Sequence, residues 1–438
     1  MKKQAGNHRL LGEIGMCVAA FCLSVLLGLA ALAVASFVPE AKILGTLYNS
    51  GLHLQREGEK PTVFDHKESS QLDNFTDALM LISTAGMNSQ DLSSILSNPI
   101  FYYEYGGEAE SDEAPFQFAK DLQMFAEGTE PHGVWFYGKY WLGFRAILRV
   151  LLTHFDYLQI RRYEAVLFFL LFGAVVCSIT KNVDSKTAMA FLVSILLVKP
   201  QVIVNSMQFS CCFLIAFAGM LLVPWVAEHP KWDNVFFLEL GVVTMYFDFY
   251  TVPLVTMGFP LVYLAILRSR QGKSVSLVWV LRCALVWFAA YGMMWVVKLC
   301  LTTLFTSYNG LENGFQSFFG RVGIVKTEGL EDFYSVSRAF QGLKSVLMPD
   351  HIGKLIYVAG IGLALVSGFV SAFWNKVPFS VFRKFEGLLL IAILPILWFV
   401  VTKQPIAIHY SFQYRSIALT YWAAGAYLSM TAWNRGLQ

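Results

Sequence analysis

Two aspartates stand four residues apart at the head of an apolar run, in the stretch Leu72-Asp73-Asn74-Phe75-Thr76-Asp77-Ala78-Leu79-Met80-Leu81. On a helix, carboxylates at that spacing share one face. Two kinds of chemistry are open to Asp73 and Asp77. If a helix starts here, Asp73 caps it and Asp77 is a solvated neighbour one turn later. If the pair faces a substrate, either one serves as a general base, or the two together hold a divalent cation such as Mg or Mn. Asn74-Phe75-Thr76 also fits the N-glycosylation acceptor pattern, a three-residue match that chance readily supplies.

A basic counterpart follows in Tyr137-Gly138-Lys139-Tyr140-Trp141-Leu142-Gly143-Phe144-Arg145 and onward to Arg162. Trp141, Phe144, Leu148, Leu151, Leu152, Phe155 and Leu158 recur at helical spacing, and Arg145 and Arg149 lie one turn apart on one face. The pattern predicts an amphipathic helix over 138–158, lying in a membrane interface. Arg145, Arg149 and Arg161 then either snorkel to lipid headgroups or fork onto the phosphate of a bound lipid. Further ionisable groups fall at the rims of apolar segments: Lys199, Asp248, Lys298, His409 and Arg415, with Tyr414 beside the last. Such residues are costly in lipid, so they face a cavity or a local partner.

These residues must be positioned by a mostly apolar chain. Of 438 residues, 56% are hydrophobic and only 14% charged, with a mean hydropathy of +0.53. That balance, with repeated apolar stretches of about 20 residues, predicts an all-α polytopic membrane protein. Ten spans are predicted, near 14–38, 163–180, 187–199, 204–227, 234–250, 251–268, 276–300, 353–374, 386–402 and 411–432. The first is read as a retained helix, because its apolar part exceeds the roughly 7–15 residues of a signal-peptide core. The segment 187–199 is short and ends at Lys199-Pro200, which predicts a tilted or broken helix.

Orientation follows from the basic residues of the short loops. With the N-terminus inside, the inner loops hold Lys181 and Lys186, Lys231, Arg268, Arg270 and Lys273, then Lys376, Arg383 and Lys384; Arg435 is inside as well. The outer short connections offer only Lys199 and Lys403. Both termini are therefore expected in the cytoplasm, and two large segments outside: 39–162, with the interfacial helix at its end, and 303–352. The domains read as 1–38, 39–162, 163–302, 303–352 and 353–438. Reading 138–158 as a further span would reverse every later loop.

The net charge of +3 is too small to suggest a nucleic-acid partner. All seven cysteines lie in or at the end of apolar runs, which predicts neither disulfides nor a metal cluster. Nothing resembles a P-loop, a dinucleotide fingerprint or a zinc motif, so the one cofactor the residues suggest is a divalent cation.

A first helix, a large outer loop with acidic residues and an interfacial helix, and then a bundle of spans resemble the GT-C superfamily of membrane glycosyltransferases. Three segments are also similar to a family of multispanning proteins from Gram-positive bacteria: Leu72 to Ala78; Tyr137 to Trp141 with Tyr157 to Arg161; and Phe247-Asp248-Phe249 through Pro253. The closing His409 to Arg415 is similar to that family as well. The chain departs from it at Lys139, where the family has arginine, and at Leu142, where it has histidine. The GT-C resemblance implies transfer of a hexosyl or pentosyl group from a polyprenyl-phosphate sugar to a cell-envelope glycan or lipid-linked acceptor. It implies the outer face of a bacterial plasma membrane, with inversion at the anomeric carbon. Asp73 or Asp77 is then the base, with Glu40 a rival because it directly follows the first helix. Arg145, Arg149, Arg161 and Arg415 would hold the donor phosphate, and Tyr137, Lys139, Tyr140, Trp141, Lys199, Asp248, His409 and Tyr414 would complete the site. A transporter or flippase of lipid-linked saccharides is the alternative, and a non-catalytic scaffold a third reading. A transporter predicts matched halves with discontinuous helices, and neither an internal repeat nor a central ladder of charges is visible.

Overall fold

The computed structural model of the protein describes residues 2–64, 66–87, 91–104, 117–273, 275–325, 334–347 and 386–433. The chain is mostly helical, as an all-α membrane protein. It opens with α1 (Lys2–Ser36), whose span-like part is Leu11–Ser36. A helical lobe follows, built from α2 (Leu44–Glu57), α3 (Asn74–Ala85), α4 (Leu92–Ser97), α5 (Gln117–Ala126) and α6 (Phe144–Leu151). A short antiparallel ribbon joins them, β1 (Pro99–Tyr102) to β2 (Gly133–Phe136), with Ile100 opposite Trp135. The ribbon was not legible in the apolar pattern. This lobe has its own core, in which Leu47, Leu54, Leu81, Ile82, Ile100, Leu122 and Leu148 pack together.

The bundle consists of α7 (Tyr157–Asn182), α8 (Ser185–Leu196), α9 (Pro200–Ile203), α10 (Met207–Glu228), α11 (Asp233–Phe247), α12 (Leu254–Arg270) and α13 (Leu277–Phe305). It continues with α14 (Gly310–Arg321), α15 (Val336–Leu347), α16 (Glu386–Val401), α17 (Lys403–Gln413) and α18 (Ala418–Trp433). Its larger core is rich in phenylalanine, with Phe168, Phe191, Phe213, Phe217 and Phe259 in mutual ring contact. Polar starts fix the helices along the chain. Asp156 and Gln159 form a reciprocal capping box at α7, and Asp184 and Ser276 cap α8 and α13.

Among the described residues, four helices are long and apolar enough to cross a bilayer by themselves: Leu11–Ser36, α7, α10 and α13. The helices α8 and α16 are apolar but shorter. The other helices on predicted spans, α11, α12 and α18, run 15, 17 and 16 residues. The predicted span 353–374 lies outside the described residues, as do Lys376, Arg383, Lys384 and Arg435. The region 187–204 is broken as its sequence suggested. After α8 the chain turns at Lys199, which takes a left-handed φ of 58° ahead of Pro200, where a right-handed helical conformation is disfavoured.

The predicted helix over 138–158 is corrected to a single short helix, α6, and the start of α7. Leu142 has a φ of 52°, and residues 152–156 break the helix before the Asp156 cap restarts it. Gly143 is required at the start of α6. Its amide donates to the Tyr246 carbonyl at 2.8 Å, and an added Cβ would sit 2.1 Å from the Tyr246 ring.

Candidate active site

A cavity of about 510 Å³ lies where the helical lobe meets the bundle. Its walls come from segments far apart in sequence. Glu59, Lys60, Asp73 and Thr76 come from the lobe, and Tyr137, Lys139 and Tyr140 from the loop before α6. Gln208 opens α10, Phe249 and Tyr250 follow α11, Ser317 and Arg321 belong to α14, and His409 and Gln413 to α17.

Asp73 is set into this wall by its own helix. Its Oδ1 accepts from the Thr76 amide at 3.2 Å and its Oδ2 from the Thr76 hydroxyl at 2.8 Å. It therefore caps α3 and faces the cavity at once, so the two readings of this residue are compatible. Burial raises its pKa above the ordinary carboxylate value, against the Thr76 hydrogen bonds and the charge of Lys60.

Asp77 does something else. It is fully buried and accepts four hydrogen bonds: from the Tyr157 hydroxyl at 2.9 Å, the Ser206 hydroxyl at 3.2 Å, and the Met207 and Gln208 amides at 3.0 Å each. The last two are orphan amides of the first turn of α10, so Asp77 caps that helix from across the lobe boundary. Burial pushes its pKa up to about 6 in spite of these donors. Asp77 does not line the cavity, and both of its oxygens are engaged by these donors. Among the described residues, no three His, Cys, Asp or Glu side chains gather as metal ligands.

The predicted phosphate-binding arginines are placed differently from expectation. Arg145 donates to the Ile95 carbonyl and to Asn98 Oδ1, and Arg149 to the carbonyls of Val38, Thr84 and Ala85. These carbonyls lie at or just beyond the C-terminal ends of α1, α3 and α4, where helices leave acceptors unpaired. Arg161 makes a bidentate pair with Glu57 at 2.6 and 2.9 Å and also reaches the Asn205 carbonyl. None of the three lines the cavity, and α6 turns its arginines inward rather than toward headgroups. Lys298 likewise donates to the Leu96 carbonyl.

Lys199 and Arg415 act one step behind the site. Lys199 donates to the hydroxyls of Ser69 and Ser70 at 2.6 and 2.8 Å, and Arg415 to the Ser69 carbonyl at 3.3 Å. Both hold the strand of chain that delivers Asp73. Arg415 also stacks 4.4 Å over Phe209, a cavity residue, with Tyr414 buried beside it. Asp248 accepts from the amide and hydroxyl of Thr251 and shapes the turn that presents Phe249 and Tyr250. Trp141 is buried behind the cavity, its indole donating to the Met294 carbonyl at 2.7 Å. Glu40 is exposed in a short turn and does not line the cavity. Of the predicted site, Asp73, Tyr137, Lys139, Tyr140 and His409 do line it.

The residue that sequence reasoning missed is Arg321. Its guanidinium lies 5.4 Å from the Tyr140 ring centre and 4.6 Å from that of Tyr250, with no ion pair or hydrogen bond among the described residues. Lys139 lies close by, its pKa pulled down to about 8 by burial and then by the Arg321 charge. Two neighbouring cations that repel one another across a cavity make a place for an anion. The one sequence signal for Arg321 was its position as a basic residue in an aromatic segment, Phe315 to Arg321. No family model, curated protein or solved structure matches the chain. The likeness to GT-C enzymes thus rests on sequence pattern.

Proposed function

We propose that the chain is an integral membrane glycosyltransferase that moves a sugar from a polyprenyl-phosphate donor to an acceptor hydroxyl on the outer face of a bacterial plasma membrane. The proposal includes ten spans with both termini inside. One observation carries it: a single cavity holds the carboxylate of Asp73 and the cations Arg321 and Lys139. Sugar transfer from a phosphate lipid needs a base and an anion clamp that flank one sugar.

In the proposed reaction, Asp73 takes the proton of the acceptor hydroxyl. The acceptor oxygen bonds to the anomeric carbon, and the bond from that carbon to the donor phosphate breaks. The phosphate lipid leaves with the electron pair, stabilised by Arg321 and Lys139. The sugar would lie against Tyr137, Tyr140, Phe249 and Tyr250. Arg145, Arg149 and Arg161 are spent on the fold, so the donor phosphate is assigned to Arg321 and Lys139 in their place.

The test is sugar transfer in proteoliposomes supplied with a polyprenyl-phosphate sugar. Arg321→Gln is expected to raise the donor KM roughly 10- to 150-fold, the equivalent of the 1.5–3 kcal/mol of a hydrogen bond to a charged group. If the wild type consumes no donor but carries the lipid across the bilayer, the glycosyltransferase reading is wrong.

A pH profile gives a second measurement. Burial raises Asp73, so the carboxylate needed as base is lost on acidification at a higher pH than for an exposed aspartate. Thr76 opposes this shift by donating to the charged form. Thr76→Val is therefore expected to move the acid limb of kcat/KM further toward neutral pH. An acid limb unmoved by the substitution would show that Asp73 does not set it.

A further inference from the structure

A second cavity of about 340 Å³ runs between α3, α6, α7, α10 and α11. Its size falls within the range of about 300–1,000 Å³ that ligand pockets occupy. Its lining is apolar: Met80, Ile147, Leu151, Leu167, Leu214 and Ile215 are typical. At its rim Ile147 is 52%, Tyr163 58% and Leu167 47% exposed, so the groove opens sideways on the face where α7 meets lipid. Glu164 lines it three residues along α7 from Arg161, about 4.5 Å at the helical rise. Arg161 is tied to Glu57 of the helical lobe, so in the proposed orientation the groove lies at the outer edge of the membrane.

The groove joins the active-site cavity. Gln208 and Phe249 line both. Gln208 is 5% exposed, and its Oε1 is buried without a hydrogen-bond partner. The polar groups of the groove are acceptors or neutral: Glu164, which accepts from the Ser210 hydroxyl, Gln208, Tyr163 and Cys211. Among the described residues, no lysine, arginine or histidine lines it. A phosphate there would have no cation and would face Glu164, an arrangement that low-dielectric surroundings penalise heavily. Lys139 and Arg321 line the active-site cavity and not this groove.

We propose that this groove takes the acceptor, and that the acceptor is an uncharged lipid alcohol. This deepens the glycosyltransferase reading and rests on it. The lipid chain lies along α6, α7 and α10, and a hydroxyl of the head donates to Gln208 Oε1 on its way to Asp73. The donor phosphate stays with Arg321 and Lys139. The hydroxyl proton goes to Asp73, the acceptor oxygen takes the anomeric carbon, and the phosphate lipid departs on the opposite side. The two lipids enter from different directions because their head groups differ in charge.

The experiment uses the full chain in proteoliposomes and a diacylglycerol carrying a photoactivatable diazirine on one acyl chain. Cross-linked peptides are expected from α6, α7 and the first half of α10. Excess unlabelled diacylglycerol should remove the label, and excess undecaprenyl phosphate should leave it. Ile215→Trp and Leu167→Trp each fill the groove from a different helix, and each is expected to lose the label while keeping the wild-type thermal midpoint. Displacement of the probe by undecaprenyl phosphate, or full labelling of both variants, overturns the acceptor assignment and leaves sugar transfer untouched. Failure to transfer sugar from polyprenyl-phosphate donors overturns the glycosyltransferase reading, and the acceptor role with it, whatever the labelling.

Discussion

Asp73→Asn is expected to slow sugar transfer by roughly 10²- to 10⁴-fold, the usual contribution of a positioned general base. The fold should survive. Asparagine caps helices about as well as aspartate, and its oxygen can still accept from the Thr76 amide. The protein would remain monodisperse with an unchanged thermal midpoint, and donor binding would persist because Arg321 and Lys139 are intact. That combination, lost turnover with retained fold and donor affinity, separates a base from a structural cap. Transfer rates in proteoliposomes at saturating donor, together with melting of the detergent-solubilised protein, provide the measurement. Wild-type turnover in Asp73→Asn would remove Asp73 from the mechanism. Glu40 would not replace it, since that side chain is exposed and outside the cavity.

Asp77→Ala is expected to damage the fold instead. It strips an acceptor from two hydroxyls and two backbone amides, all at a point where the helical lobe meets α7 and α10. Each donor left buried and unpaired costs roughly 1–3 kcal/mol. Several at once exceed the roughly 0.5–3 kcal/mol of an ordinary substitution and approach the stability of a typical domain. The variant should express poorly or melt far below the wild type. Asp77→Asn should also be destabilised, because its amide nitrogen must meet a backbone N–H on one side. The readout is size-exclusion chromatography of heated membrane extracts. If Asp77→Ala is as stable as wild type but inactive, the roles of the two aspartates are reversed.

Tyr137, Lys139 and Tyr140 were identifiable in advance from the segment that carries the family resemblance, and His409 because ionisable residues at the rims of apolar segments stand out. The same rule selected Arg145, Arg149 and Arg161, and there it pointed to the wrong partner. Periodicity places two arginines on one helical face, but it does not say whether that face meets headgroups or the open carbonyl ends of other helices. Those carbonyls lie at or just beyond the ends of α1, α3 and α4, far away in the chain. Arg321 failed in the opposite sense. It is a single basic residue in an ordinary amphipathic stretch, and only the packing of α14 beside Tyr140 and Tyr250 gives it meaning.

The sequence by itself determined that this is a helical membrane protein, because apolar stretches that long have no other stable home. It also offered Asp73 as the start of a helix, a reading the structure bears out, since capping is local and needs only the next three residues. Only the tertiary structure decided which aspartate faces a cavity and which is buried under the first turn of α10. Both lie on the same helix, one turn apart, and differ only in what distant segments bring to them. For Asp73 the neighbours are Tyr137, Arg321 and His409 across open space. For Asp77 they are four donors that leave no room for a substrate. Hydrogen-bond donors from residues 80 to 131 positions away cannot be read from local spacing, and they separate a reactive carboxylate from a structural one.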